Sequence, residues 1–220
     1  MDVESRDSVS LKPAELDELG QLVSGLGLPL QDEQLDTHIE QFPLVAVVEI
    51  EGEIQGFLFG SLERIGGTPC ILWGLGGIRR GKNARASLDR LVAELYRRAA
   101  ISFPDEDVLV AGRVAHPAAY TLFGALDDVC PRPKYSPNGE ERAWGRRLAK
   151  RFGVDGSYDE QSFVVKNNGQ SGFLDHESLK PDKIKPEMAA LFSTVNVKKG
   201  GSLIAHGWVM AEELLKLGAR

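Results

Sequence analysis

The sequence predicts an α/β chain of the α+β kind, with helices and strands in the order α, α, β, β, β, α, β, α before a less regular C-terminal part. Three stretches carry that prediction. Residues 44–51, LVAVVEIE, and 54–62, IQGFLFGSL, are strand-like runs flanking the turn-forming pair Gly52 and Glu53, which is a hairpin signal. From Asn83 to Ala100 the residues Ala84, Leu88, Leu91, Val92, Leu95, Tyr96 and Ala99 form one helical stripe, with Arg85, Asp89, Arg90, Glu94, Arg97 and Arg98 mostly outside it. DVLVAGRV at 107–114 then reads as a buried strand that leads into HPAAYTLFGAL at 116–126, a helix with Pro117 in its first turn.

The remaining elements follow in order. Val9 and Leu11 predict a short strand, and Pro13 opens a helix whose Leu16, Leu19, Leu22 and Val23 share a face until Gly25 and Gly27 end it. A second helix spans Asp32 to Gln41, with Leu35 and Ile39 four apart, and is stopped by Phe42 and Pro43. GGTP at 66–69 is a turn before CILWGLGGI at 70–78, a third strand whose Gly74, Gly76 and Gly77 predict a bulge or a close approach by another group. Beyond Pro131 and Pro133 a polar stretch holds one amphipathic helix, with Trp144, Leu148 and Phe152 on one face. Strands are expected near 162–166 and 202–207, a loop over 167–183, a short helix at Met188, Leu191 and Phe192, and a terminal helical turn over Glu212–Leu217.

Composition narrows the function classes. A net charge of −6 over 220 residues does not suit a chain built to wrap a polyanion, so nucleic acid is an unfavoured partner. The basic run RAWGRRLAKR at 142–151 reads as a solvated helix face. No apolar run is long enough to cross a membrane and the start, MDVESRDSVSLK, is unlike a secretory signal, so a cytoplasmic protein is expected. Cys70 and Cys130 have no CxxC or histidine context, and His38, His116, His176 and His206 are scattered. DHE at 175–177 is the one tight group of potential ligands and reads as surface loop, so no metal site is expected. No GxSxG elbow is present, which disfavours covalent hydrolase chemistry. GLGG at 74–77 lacks the third glycine and the repeated βαβ pattern of a dinucleotide site.

Three segments, in order, resemble the GNAT superfamily of acyl-CoA-dependent N-acyltransferases over roughly residues 8–130. VAVVEIEGEIQGFLFGSL resembles the hairpin of its second and third strands. WGLGGIRRGKNARASLDRLVAEL resembles the fourth strand, phosphate loop and following helix, and HPAAYTLFGAL resembles the helix that commonly begins with Asn and Pro. The resemblance implies a mixed, mostly antiparallel central sheet flanked by helices. It divides the chain into a core at 1–135 and a C-terminal extension at 136–220 that contributes closing strands to the same fold.

It also implies a site. The usual Q/RxxGxG/A loop aligns either on Arg80, Asn83 and Arg85 or on Arg79, Lys82 and Ala84, and in both registers the middle glycine is absent. Leu75, Gly76, Ile78, Arg79, Arg80, Gly81, Lys82, Asn83, Ala84 and Arg85 are then the residues that meet acetyl-CoA or another acyl-CoA as co-substrate, joined by His116 and Phe123 from the HPAA helix. The physical basis is that a helix N-terminus offers unpaired N–H groups and positive dipole to a pyrophosphate. Phe123 stands where the family often has a proton-donating Tyr, which leaves Tyr120 as a substitute acid. His116 or Glu63, with Glu49 and Glu51 as further carboxylates, are the candidate bases. The implied partner is an unidentified amine acceptor, with a homodimer allowed. A catalytically idle binder of acyl-CoA or protein, and a transferase using aminoacyl-tRNA, are the rival readings.

Overall fold

The computed structural model describes residues 1–25, 32–166 and 184–219. The expected helix end at Gly27, the loop over 167–183 and the DHE group lie outside those residues. The chain opens with β1 (Asp2–Asp7), α1 (Pro13–Gly25) and α2 (Asp32–Gln41), then the meander β2 (Leu44–Ile50), β3 (Glu53–Ile65) and β4 (Thr68–Ile78). The long α3 (Ala84–Ser102) leads to β5 (Val108–Val114) and the short α4 (Pro117–Tyr120). Then come β6 (Asp127–Cys130), α5 (Gly139–Arg151), β7 (Tyr158–Asp159), β8 (Val164–Val165), α6 (Pro186–Ala190), β9 (Ser202–Val209) and α7 (Ala211–Gly218).

Among the described residues these strands form one sheet in the order β1-β2-β3-β4-β5-β9-β8-β7, with β6 paired to β9, and every pairing is antiparallel except β4 with β5. The predicted α/β architecture, a mixed and mostly antiparallel sheet between helices, is what forms. Residues alternate between the faces as period-two strands require. Ile71, Trp73, Val108, Val110, Leu203 and Ala205 meet Leu88, Leu91 and Leu95 of α3 in one core. Phe57, Phe59, Leu72, Leu109 and Ala111 meet Leu19 and Val23 of α1 and Leu148 and Phe152 of α5 in the other. Each fully buried Val, Leu, Ile or Phe side chain among them contributes about 1.5–3 kcal/mol of burial. β5 pairs with β9 along its whole length, from Val108↔Val209 to Val114↔Leu203, and Asp107 accepts a hydrogen bond from Ala211 N (3.0 Å) at the start of α7.

Four local expectations are corrected. The first strand is β1, earlier than Val9 and Leu11; Ser8–Ser10 form a 3-10 turn because the Asp7 carboxylate takes the Val9 N–H (3.1 Å). The first hairpin turns on Glu51 (φ 55°) and Gly52 (φ 81°), one residue before the expected pair, since a tight turn matched to strand twist needs left-handed backbone at both positions. Gly66 (φ 60°) and Gly67 (φ 90°) make the second turn for the same reason, so β4 already begins at Thr68. The helix expected over 116–126 is a single α-turn that tightens into a 3-10 turn over Thr121–Ala125.

One buried titratable group makes the stability depend on pH. His206 of β9 pairs with Ala111 of β5 and Cys130 of β6, and its ring lies 6.2 Å from that of Phe163. Burial pushes its pKa from 6.5 down to about 4, against the opposing pull of the Glu141 backbone and carboxylate on α5. The unfolded chain therefore takes up this proton at a higher pH than the folded one, and stability present above 6.5 is lost as the pH falls towards 4. The full loss is about 3 kcal/mol. In urea titrations between pH 7 and 4, wild type is expected to fall more steeply than His206→Gln; equal slopes would show that His206 does not carry the effect.

Candidate functional site

The site is a fork. β4 and β5 run parallel and paired from Cys70↔Leu109 to Trp73↔Gly112, and there the pairing stops. Beyond it β4 stays on β3, with Gly76↔Leu58, Gly77↔Phe57 and Ile78↔Gly56, while β5 stays on β9 through Arg113↔Ile204 and Val114↔Leu203. Each strand thus has its outer partner and not its inner one. The cause is legible in β4: between Trp73 and Gly76 three steps of β4 oppose two of β3, from Gly60 to Leu58, so Gly74 and Leu75 form a bulge that turns the strand away. Gly74 permits it because a Cβ there would lie 2.9 Å from the Phe42 ring.

At the crotch of the fork Trp73 is 1% exposed and packs on Phe123, ring centroids 4.9 Å apart. Gly112 opposite has no room for more, as a Cβ would stand 3.2 Å from that of Trp73. Sequence reasoning missed Trp73, because a tryptophan in a strand reads as core; its place at the last paired position appears only with the sheet.

The end of β4 delivers the chain to the loop before α3. Arg79 N–H donates to Gln55 O (2.7 Å) and Arg79 Nε to Ile54 O (3.3 Å), tying the loop to β3. Gly81 takes φ 150° and its carbonyl accepts Ala84 N–H (3.2 Å). Asn83 stands at the cap position with helical backbone and makes no side-chain cap bond. The first-turn N–H groups of Arg85 and Ala86 find no acceptor among the described residues. Arg79, Arg80, Gly81, Lys82 and Arg85 are exposed around this helix start, with Asn83 half-buried and Ala84 buried. Arg85 pairs with Asp89 one turn on (2.9 Å). A groove of about 430 Å³ runs from Arg85, Asp89 and Arg90 of α3 to Thr121, Leu122 and Ala125 after α4, beside the fork rather than in its crotch.

The candidate acid and bases are placed as follows. His116 caps α4, its Nδ1 accepting from Ala118 N (3.2 Å), which assigns the neutral ring's proton to Nε2 and makes that nitrogen a donor. Tyr120 is buried against Phe123 and Phe192 and donates its hydroxyl hydrogen to Pro131 O, and burial pushes its pKa up to about 12. Glu63 faces Cys70 near the start of β4, the far end from the fork. Burial would raise its pKa, but bonds from Arg151 (2.7 and 2.8 Å) and Ser61 (2.6 Å) outweigh that and hold the carboxyl ionised below its usual range. Its geometry is that of a tie between β3 and α5. Glu49 is half-buried on β2 and Glu51 lies in the hairpin turn. The basic run of α5 is likewise engaged within the chain: Arg151 with Glu63, Arg146 with Glu160, and Arg147 over the Trp144 ring at 5.0 Å.

An antiparallel meander, one parallel pair that parts after Trp73, a helix starting where β4 ends and a second short helix after β5 reproduce the order implied by the sequence resemblance. The fold is GNAT-like. Among solved structures the chain is similar to the aminoglycoside 6'-N-acetyltransferase from Enterococcus faecium, at 12% identity over 96% of this chain and 97% of that one, TM-score 0.46. It is also similar to aminoglycoside 6'-acetyltransferase type Ii, at 14% identity over 60% and 88% of the two chains, TM-score 0.44. A third is the ribosomal-protein-S18-alanine N-acetyltransferase from Escherichia coli, at 13% identity over 63% and 86%, TM-score 0.40. No family model and no curated protein matches the chain. Among the described residues no group of three His, Cys, Asp or Glu stands together as a metal site, and no helix is long and apolar enough to cross a membrane.

Proposed function

We propose that the chain moves an acyl group from acetyl-CoA or another acyl-CoA to an amine by direct attack in a ternary complex. The observation that carries this reading is the parting of β4 from β5 immediately before an uncapped, cation-rich helix start. The start of α3, with Arg79, Arg80, Lys82 and Arg85 around it, supplies N–H donors and positive charge to a pyrophosphate. The open edge of Leu75–Ile78 supplies main-chain groups to the pantetheine arm and the thioester carbonyl, with His116 and Phe123 as the opposite wall.

In the reaction the neutral amine nitrogen attacks the carbonyl carbon, an oxyanion forms against the β4 backbone, and the C–S bond breaks to give the amide and the coenzyme A thiolate. The attacking nitrogen, cationic once bonded to the carbonyl carbon, passes its proton to water, which leaves a neutral amide. A thiol is a far stronger acid than an alcohol, so its thiolate departs with little help from an acid. That fits a site in which Tyr120 is committed to Pro131 O and Phe123 carries no proton. The same two residues also favour the idle reading, in which acyl-CoA is held without turnover.

Calorimetry with acetyl-CoA and with coenzyme A is expected to show binding between about 1 µM and 1 mM, the range of ordinary enzyme substrates. Thiol release from acetyl-CoA in an amine panel is expected to saturate with at least one amine. Absence of binding by either thioester or thiol overturns the proposal, and binding with no thiol release on any amine selects the idle reading.

A further inference from the structure

A second cavity, of about 410 Å³, opens at the other end of β5 from the fork, where Asp107 precedes the strand. Its floor is made by His206 and Trp208 of β9, Trp144 of α5 and Met210, with the two indoles edge to face at 6.2 Å. His206 is 2% exposed, lines the cavity, and among the described residues neither ring nitrogen has a hydrogen-bond partner. A buried imidazole with both nitrogens unmet is costly, and the cost is removed by whatever fills the space beside it.

The charges around the cavity say what that is. Its cation, Arg132, is spent: the guanidinium lies 3.6 Å from Glu141, donates to Val129 O (3.1 Å) and covers the Tyr135 ring at 3.6 Å. Glu141 is spent as well, accepting from Tyr135 OH (3.0 Å) and Asn138 N (2.7 Å). Asp128 and Glu140, both exposed on the lining, form no ion pair among the described residues. The mouth is therefore negative and unpaired, over a floor of indole faces and an imidazole that burial keeps neutral and hence able to accept a hydrogen bond.

We propose that this cavity is a binding site for a small organic ammonium, its N–H donated to His206, its charge met by Asp128 and Glu140, and its carbon chain laid on Trp144 and Trp208. The size suits a ligand of a few heavy atoms, at the low end of small-molecule sites. The site is separate from the fork and does not rest on acyl transfer.

The test is titration of the full chain with n-butylammonium, followed by the indole N–H resonances of its three tryptophans. Saturable shifts at Trp144 and Trp208 but not Trp73 are expected, with Kd about 1 mM or tighter. Tetramethylammonium, which has no N–H, is expected to bind at least about 5-fold more weakly, and butyrate not to saturate. The double variant Asp128→Asn, Glu140→Gln is expected to weaken n-butylammonium about 10-fold. It keeps the fold, because Asn tolerates the φ of 46° at position 128 and both positions are exposed. Linear shifts only, equal response to butyrate, equal affinity for tetramethylammonium, or no effect of the double variant each overturns the proposal and leaves ordered water as the occupant.

Discussion

A chain carrying Arg80→Glu and Arg85→Glu is expected to bind acetyl-CoA about 100-fold more weakly than wild type while melting within about 2 °C of it. Both side chains are exposed at the start of α3, where the backbone already offers the unmet N–H groups of Arg85 and Ala86. A hydrogen bond to a charged group is worth about 1.5–3 kcal/mol, and replacing two such donors with carboxylates also adds repulsion against the diphosphate. Solvent screening reduces the total to about 3 kcal/mol, or two decades in affinity. At Arg85 the loss is small, because its ion pair with Asp89 is of the i,i+4 kind worth about 0.3–0.5 kcal/mol. A glutamate in the first helical turn also suits the dipole. Calorimetry at low and high salt checks the claim, since the wild-type affinity should fall with salt more steeply than that of the variant. Unchanged affinity would mean that the phosphates are not held at α3 at all.

What could be read from the letters was what depends on local pattern. The β2–β3 hairpin, the stripe of α3 and the buried run of β5 each announce themselves within one continuous stretch of sequence, and the glycines of β4 announce the bulge that opens the fork. β1 was missed because DVESRD is a polar edge strand that owes its form to backbone pairing with β2, from Asp2↔Glu49 to Asp7↔Leu44. β6, DDVC, has no strand pattern of its own and exists because β9 lies beside it. The side-chain roles were the least legible part. Tyr120 finds Pro131 O, Glu63 finds Arg151, and the cavity over His206 takes walls from α5, β6 and β9, partners that no local window contains.

Trp73→Ala is expected to cost about 3–5 kcal/mol, the usual range for removing a large buried aromatic, and so to lower the thermal midpoint by about 10 °C. The indole sits where the β4–β5 ladder ends, so its loss removes the packing on Phe123 that holds the two strands at their last common rung. Trp73→Phe separates packing from polarity. The indole Nε1–H is buried with no partner among the described residues, a state that costs free energy in the folded chain, so a ring without that N–H regains part of what the lost volume removes. The phenylalanine variant is therefore expected to stay within about 1.5 kcal/mol of wild type in urea unfolding. It is expected to keep acetyl-CoA affinity within a few-fold, because the coenzyme is met by the β4 backbone and the start of α3. If Trp73→Phe instead retains stability and loses acetyl-CoA binding, the indole N–H is itself a donor to the pantetheine arm, and the fork is lined by a side chain as well as by main-chain amides.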